Sequence, residues 1–398
     1  MRTSPWRDNH AAFPAPPVAA PPSLWQKPRT LKGDGTGLKP PRDKRRPPKA
    51  RPGQPAQAAY RPLPGGAAPR ARSAEAAAPK HAPAHVPPSL RQRVPRRTGA
   101  LPAENLPLIL EVLPNADYAL LDSGDGEKLE QYGPYRIVRP EGQAIWRRAL
   151  PERDWANVDA VFTGDTDEEG IGRWRFPRQP LGETWPMTYD GLSYLGRFTS
   201  FRHVGVFPEQ APHWSHMEGL IRAANRPVKV LNLFGYTGLA SLVAARAGAE
   251  VTHVDASKKA IGWARENQEL ARLSDKPIRW ICDDAMKFVE REARRDSRYD
   301  LILFDPPAYG RGPKGEVWQL FEDLPAMADL CRAILTPKPL AVVLTAYSIR
   351  ASFFAIHALM RDTFAGMGGR VESGELIIRE KSAGRALSTS LFSRWVAR

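Results

Sequence analysis

Cysteine is nearly absent from this chain: Cys282 and Cys331 are the two it has in 398 residues. Two thiols give no disulfide framework and no zinc-ligand spacing, and they suit a reducing cytoplasm. Long apolar runs are missing as well. No uninterrupted hydrophobic stretch approaches the ~20 residues needed to span a bilayer, and no apolar segment near Met1 resembles a secretory signal. Acidic residues are scarce at one end. Residues 1–100 carry 20 of the 58 Lys/Arg but only 4 of the 43 Asp/Glu. The formal net charge of +15 therefore belongs to that segment, and the remaining residues are close to neutral.

The same segment holds 21 of the 40 prolines. Such a composition buries too little surface to offset its ordering entropy, so residues 1–103 are expected to be a disordered tail. Two basic knots stand out, Lys39–Arg51 and Arg91–Arg97. They fit a nucleic-acid arm acting through phosphate neutralisation. A solvated tail, or a start codon assigned too early in a GC-rich gene, fits the composition equally well. A transit peptide is a third reading, against which the proline density argues.

From about residue 104 the character changes. Short strands are expected at Leu108–Leu113, Tyr118–Leu121, Tyr135–Val138, Asp159–Phe162, Trp174–Phe176, Met187–Tyr189 and Val204–Val206. Trp146, Trp155, Trp174, Trp185 and Trp214 lie here with arginines between them. They read either as a stacking surface for unpaired bases or as the core of a small β-rich domain over 104–222. His203, His213 and His216 are too loosely spaced for a metal site.

From Val228 strands and helices alternate, over a domain taken as 223–398. Strands are expected at Val228–Phe234, Glu250–Asp255, Ile278–Cys282, Tyr299–Phe304 and Leu340–Ala346. Helices are expected at Gly238–Ala247, Ser257–Leu273, Ala285–Arg294, Val317–Leu335 and Ser352–Phe364. Gly248 suits a helix C′ position and Ser257 an N-cap. This order is that of an α/β protein with a mostly parallel sheet covered on both faces. Ser373–Arg379 and Thr389–Ala397 read as an antiparallel edge hairpin.

The strand ends carry the chemistry. After the first comes Phe234-Gly235-Tyr236-Thr237-Gly238, a turn in which glycine lets backbone approach a ligand. Asp255 ends the second strand, 20 residues beyond Gly235, where a carboxylate accepts hydrogen bonds from ribose hydroxyls. The turn lacks the G-x-G-x-x-G spacing that serves a pyrophosphate, so the ligand looks like a nucleoside without one; S-adenosylmethionine fits. Asp284, after the third strand, can reach the adenine amine, and its neighbour Asp283 can cap the next helix, although the two roles are interchangeable. The fourth strand ends Phe304-Asp305-Pro306-Pro307-Ala308-Tyr309-Gly310. Two prolines stop a central ladder, lock φ and remove two donors. That leaves Asp305 and nearby carbonyls as acceptors for the N–H groups of a planar base, with Tyr309 as a candidate stacking face. Beyond it Arg311 and Lys314 sit in a basic loop that can close over the site and hold substrate phosphate.

Together these residues resemble the class I S-adenosylmethionine-dependent methyltransferases. More narrowly, residues 101–398 resemble the large-subunit ribosomal RNA methyltransferases of the cytosine-C5 and guanine-N7 type. The resemblance implies a Rossmann-like domain with a mostly parallel seven-stranded sheet, preceded by a smaller β-rich domain. It implies that Asn232, Phe234 and the glycine turn cradle the methionine part of the cofactor. Gly205-Val206-Phe207-Pro208-Glu209-Gln210 matches that group's G-x-F-x-[DE]-Q-like segment, so Glu209 and Gln210 are expected cofactor contacts. The implied partner is RNA, as ribosomal RNA or a pre-ribosomal particle, in the cytoplasm.

Cytosine-C5 transfer needs a thiolate that adds to C6. Neither Asp305-Pro306-Pro307-Ala308-Tyr309 nor Leu344-Thr345-Ala346-Tyr347-Ser348 contains cysteine, so transfer to a ring or exocyclic nitrogen is expected, without a covalent intermediate. The alternatives are cysteine-dependent C5 transfer and a catalytically silent RNA-binding or assembly factor.

Overall fold

The structure is a computed structural model that describes residues 97–164, 172–347, 349 and 351–398. The tail expected over 1–103 lies outside them except for its last residues, which are not free. Arg97 is ion-paired with Asp329, Gly366 N–H donates to the Ala100 carbonyl and Ala103 N–H to that of Gly369.

The elements run β1 (Ala103–Val112), β2 (Tyr118–Gly124), β3 (Glu127–Tyr132), β4 (Tyr135–Pro140), α1 (Glu152–Ala156), β5 (Ala160–Gly164), β6 (Gly172–Arg175), β7 (Thr184–Tyr189) and β8 (Leu192–Arg197). A 3₁₀ turn at Pro208–Gln210 leads into α2 (Ala211–Ala223). Then come β9 (Lys229–Leu233), α3 (Leu239–Arg246), β10 (Glu250–Asp255), α4 (Lys258–Leu270), β11 (Ile278–Cys282), α5 (Ala285–Arg294) and β12 (Leu301–Phe304). The chain finishes with β13 (Tyr309–Arg311), β14 (Val317–Gln319), α6 (Leu320–Ala333), β15 (Ala341–Tyr347), α7 (Phe353–Thr363), β16 (Arg370–Arg379) and β17 (Ala386–Val396).

The large sheet has the order β1-β16-β17-β15-β12-β9-β10-β11. Strands β11, β10, β9, β12 and β15 are mutually parallel, and β17 runs antiparallel to both β15 and β16. Helices on both faces explain why the central strand β12, Leu301–Phe304, is apolar and buried throughout. Leu301 and Leu303 enter one core, shared with α2 and α3, whereas Ile302 and Phe304 enter another, shared with α5, α6 and α7. Fully burying a Leu or Phe side chain stabilises by roughly 1.5–3 kcal/mol relative to exposure, so these two-faced strands anchor the fold. Phe364 and Trp395 stack in the second core with ring centroids 4.7 Å apart.

The sheet has one more strand than the expected seven. The additional strand is β1, expected in the β-rich region before it, which pairs in parallel with β16. The C-terminal hairpin is therefore covered and β1 forms the edge. The pairing shifts register between Asn105 and Leu108, beside Pro107, which has no N–H to give a ladder. Strands β2–β6 form a separate five-stranded sheet and β7–β8 a hairpin. Both pack against the α2–α3 side, since Tyr132, Ile137, Trp185 and Tyr194 share a core with Val230 and Leu242. Trp155, Trp185 and Trp214 are buried and Trp146 and Trp174 half-buried against this core, which favours the core reading of these aromatics. Val204–Val206, expected as a strand, is irregular, and β3, β8 and α2 were not expected. Among the described residues no helix is long and apolar enough to cross a membrane, and no cluster of three or more His, Cys, Asp or Glu is placed to hold a metal ion.

Candidate functional site

The strand order reverses direction between β9 and β12, and in open α/β sheets ligands bind outside the carboxyl ends of strands at such a point. A cavity of ≈ 430 Å³ opens there, lined by residues from the ends of β9, β10, β12 and β15, from the 203–214 segment and from β13–β14.

The turn after β9 is held in an uncommon backbone. Phe234 has φ 57° and Tyr236 φ 52°, left-handed values that cost a non-glycine residue roughly 1–3 kcal/mol each. The surroundings enforce them: Gly235 N–H donates to the Val254 carbonyl at 3.1 Å and Tyr236 N–H to Asp255 Oδ2 at 2.9 Å. Gly235 is not one of the left-handed residues. It is glycine because a Cβ would lie 2.3 Å from Cε1 of the His253 ring, which packs beneath the turn. His253 in turn meets Ser241 Oγ at 3.0 Å, and Ser241 accepts from Asn232 Nδ2 at 2.9 Å. Thr237 is buried and donates to the Gly205 carbonyl at 2.6 Å, tying the turn to the segment that carries Gln210. Gly238, expected at the cavity wall, does not line it. It is the N-cap of α3, with φ 85°, and packs close to Trp280 and Ala264.

Asp255 ends β10 and lines the cavity. Its Oδ2 accepts from Tyr236 N–H and its Oδ1 from Ser257 N–H at 2.8 Å. Burial pushes its carboxyl up from the usual value, and the two backbone donors act against that shift. Ser257 caps α4 by accepting from Ala260 N–H at 3.2 Å, which leaves Asp255 to the cavity. At the third strand end the two aspartates differ from expectation. Asp284 is the residue that caps α5, accepting from Lys287 N–H at 2.9 Å, and it also lines the cavity. Asp283 is ion-paired with Arg291 and does not line it.

Asp305, Pro306 and Pro307 form the wall after β12. Asp305 Oδ2 accepts from Gln210 Nε2 at 3.0 Å, and Gln210 Oε1 accepts from Thr345 Oγ1 at 3.3 Å. That chain orients the amide. Asp305 Oδ1 is buried and meets no donor among the described residues. Burial, reinforced by the negative charge of Glu209, pushes the Asp305 carboxyl up to about 7. Glu209 itself, expected at the cofactor, is buried but absent from the cavity wall. Its carboxyl is raised by burial, against which the positive charges of Lys128 and Arg139 act. The sequence motif named the correct turn, but a 3₁₀ turn sends neighbouring side chains in different directions.

Arg311 lines the cavity, whereas Tyr309 and Lys314 do not. The expected mobile loop is a hairpin, β13–β14, in which Tyr309 and Arg311 alternate with Gly310. Unforeseen in the wall are His203, Phe207 and Tyr347, which form an aromatic cluster: His203–Phe207 at 4.7 Å, His203–Tyr347 at 5.7 Å and Phe207–Tyr347 at 5.6 Å. Burial, aided by Arg139 and Arg202, holds His203 well below its ordinary value and hence neutral near pH 7. Two sequence signals point there, the segment matching G-x-F-x-[DE]-Q and the Leu344–Ser348 motif. Ser348 lies outside the described residues. Neither Cys282 nor Cys331 lines the cavity.

A carboxylate fixed by backbone amides at one end, a turn brought close by the absence of a Cβ, and a carboxylate with a spare buried oxygen at the other suit a nucleoside-type methyl donor. The comparisons with known proteins agree. The model of the family "Conserved hypothetical protein 95" matches residues 217–330. A crystal structure of the SAM-dependent methyltransferase from Agrobacterium tumefaciens is 65% identical, has a TM-score of 0.74, and covers 76% of this chain and 97% of that one. Proteins named ribosomal RNA large subunit methyltransferase K/L are also similar. The one from Syntrophotalea carbinolica is 30% identical over 39% of this chain and 21% of its own length. The one from Pseudomonas paraeruginosa is 32% identical over 43% of this chain and 23% of its own length. The chain thus spans less than a quarter of the length of these two curated relatives. It belongs to the S-adenosylmethionine-dependent methyltransferases, and S-adenosylmethionine is its cofactor.

Proposed function

We propose that the chain methylates a base of RNA, ribosomal RNA in particular, at a ring or exocyclic nitrogen, in the cytoplasm. The observation that carries this reading is Asp305 Oδ1, a buried acceptor without a partner among the described residues, in the cavity wall directly after β12. A buried acceptor of that kind is costly unless a ligand N–H meets it. The names of the K/L relatives support the choice of ribosomal RNA. The positions of the cysteines support nitrogen over cytosine C5: Cys331 lies in the α6 core, where burial pushes its thiol up, and Cys282 is exposed on β11.

The bound cofactor supplies an electrophilic methyl group on a sulfonium. Asp255 would hold its ribose hydroxyls, Asp284 its adenine amine, and the Phe234–Thr237 backbone its methionine part. Gln210, its amide oriented by the Thr345 hydroxyl, fixes the Asp305 carboxyl by a hydrogen bond. Asp305 Oδ1 then accepts an N–H of the target base, holds the nitrogen in line with the methyl group, and takes the proton that leaves as the nitrogen becomes methylated. Most of the acceleration comes from positioning at near-attack distance, and the proton acceptor adds a further factor of about 10²–10⁴. The β2–β8 region would carry the surrounding RNA.

Mass mapping of modified ribosomal RNA nucleosides with and without the gene tests this. One nitrogen-methylated base should disappear with the gene; an unaltered map removes ribosomal RNA from the reading. Replacing Cys282 by Ser and Cys331 by Ala together should retain activity to within about three-fold, and a loss beyond 100-fold would support the thiolate route instead.

A further inference from the structure

The β13–β14 hairpin has two unlike faces. Gly310 and Trp318 pair with each other on one of them and both line the cavity. Trp318 is buried, its indole N–H donates to the Pro307 carbonyl at 2.7 Å, and its ring lies 5.1 Å from that of Phe234. At the tip, Glu316 pairs with Lys287 at 2.7 Å and accepts from Lys314 N–H at 2.8 Å. The hairpin is thus anchored to β12 at its base and to α5 at its turn.

Strand alternation puts Tyr309, Arg311 and Val317 on the other face, with Val317 directly opposite Arg311. Tyr309 is 43% exposed, Val317 51% and, at the start of α6, Phe321 60%. The Arg311 guanidinium lies 6.0 Å from the centre of the Tyr309 ring. The ring is exposed and does not line the cavity. Exposed apolar groups beside a cavity mark a contact surface, and here the surface carries Arg311, through which it continues into the cavity wall, while the exposed Lys314 follows in the hairpin turn. An aromatic face beside a guanidinium, with a further cation, Lys314, in the same hairpin, matches the chemistry of unpaired nucleic acid: a base for the ring and a phosphate for the charges.

We propose that Tyr309 is a platform at the cavity rim on which the nucleotide next to the methylated one stacks, its phosphate meeting Arg311 and Lys314. This rests on the reading of the substrate as RNA. The hairpin would then hold the strand open beside the base that enters the cavity, which makes an unpaired segment, rather than a duplex or a free nucleoside, the preferred substrate.

The test measures binding of the full chain to two labelled ten-nucleotide probes by fluorescence anisotropy, oligoadenylate and an abasic ribose-phosphate oligomer. Both report phosphate contacts, and only the first can stack. The wild type should bind oligoadenylate about 10- to 100-fold more tightly. Tyr309→Ala should reduce that preference to about two-fold, and Tyr309→Trp should keep it. Arg311→Gln should weaken both probes alike and flatten the salt dependence by about one unit of slope. Three results would overturn the proposal: a base preference that survives Tyr309→Ala, a wild type that binds neither probe, and a Tyr309→Ala chain that no longer binds S-adenosylmethionine in calorimetry. A Tyr309-dependent preference together with an unaltered ribosomal RNA map would sink the ribosomal assignment alone; an altered map without the preference would sink the platform alone.

Discussion

Asp255 and Asp305 both follow parallel strands of one sheet and line one cavity, yet their carboxylates are held differently. Each oxygen of Asp255 takes a backbone N–H, from Tyr236 and from Ser257. The Tyr236 donor belongs to a turn packed on His253 and bonded through Thr237 to Gly205, and the Ser257 donor to the N-cap of α4. Among the described residues Asp305 takes one side-chain donor, Gln210, on one oxygen and none on the other, and it stands near a second buried carboxyl, Glu209. A carboxylate that takes one backbone amide on each oxygen is held in one orientation, with lone pairs left for ligand hydroxyls. One with a spare oxygen and a proton held up to about 7 is built to exchange partners and protons.

The largest expected effect breaks that contrast at Asp305. Asp305→Ala should lower turnover by 10²–10⁴-fold while S-adenosylmethionine binds within about three-fold of wild type by calorimetry; lost cofactor binding would put Asp305 on the wrong side of the cavity. Next comes Asp255→Ala. Hydrogen bonds to a charged group contribute roughly 1.5–3 kcal/mol, so cofactor affinity should fall about 10- to 100-fold. If turnover at saturating cofactor fell just as far, the division between the two sides would be wrong.

The pH profile sharpens the comparison further. With the Asp305 proton held to about 7, the single-turnover rate should rise about ten-fold per unit below pH 7 and level off above it. Asp305→Asn should remove that limb. Glu209→Gln removes a like charge and should move the limb to lower pH; Gln210→Ala removes the donor to the ionised form and should move it upward. Stability runs the other way. A carboxyl raised in the folded state from 3.8 to about 7 stabilises fully below pH 3.8, and its contribution is lost as pH rises towards 7. Asp305→Asn should therefore flatten the melting temperature between pH 4 and 7 relative to wild type. The smallest effect belongs to the Asp255 side: Ser257→Ala removes the α4 cap and should cost about 1 kcal/mol in denaturant unfolding, with an unchanged pH limb.

Much of the architecture was legible in the chain. The alternating elements after Val228, apart from Val317–Gln319, which was expected as helix and is strand β14, the caps at Ser257 and Gly248, and the two prolines that stop β12 follow from local chemistry, and each of these holds in the structure. What was misread depends on partners far away in sequence. Residues 103–112 looked like part of the β-rich region because a strand's pattern does not name its neighbour; pairing with β16 assigns it to the large sheet. The same limit applied to the hairpin after β12, which is short, carries glycine, and resembles a loop until Trp318 is seen bonded to Pro307. Two motifs pointed to the segments of His203 and Tyr347, but neither says that these residues, 144 positions apart, share a wall.

Residue types by themselves determined that a glycine turn, an acid 20 residues on and an Asp-Pro-Pro stop end successive strands, because φ restriction, missing donors and apolar periodicity act within a few residues. Only tertiary packing decided what those ends face. The Gln210–Asp305 bond spans 95 positions and the Thr345–Gln210 bond 135. Such contacts turned Glu209 away from the cavity wall, set Tyr309 outside it, and left one oxygen of Asp305 unpaired, because burial and hydrogen-bond completion depend on the whole surroundings of a side chain.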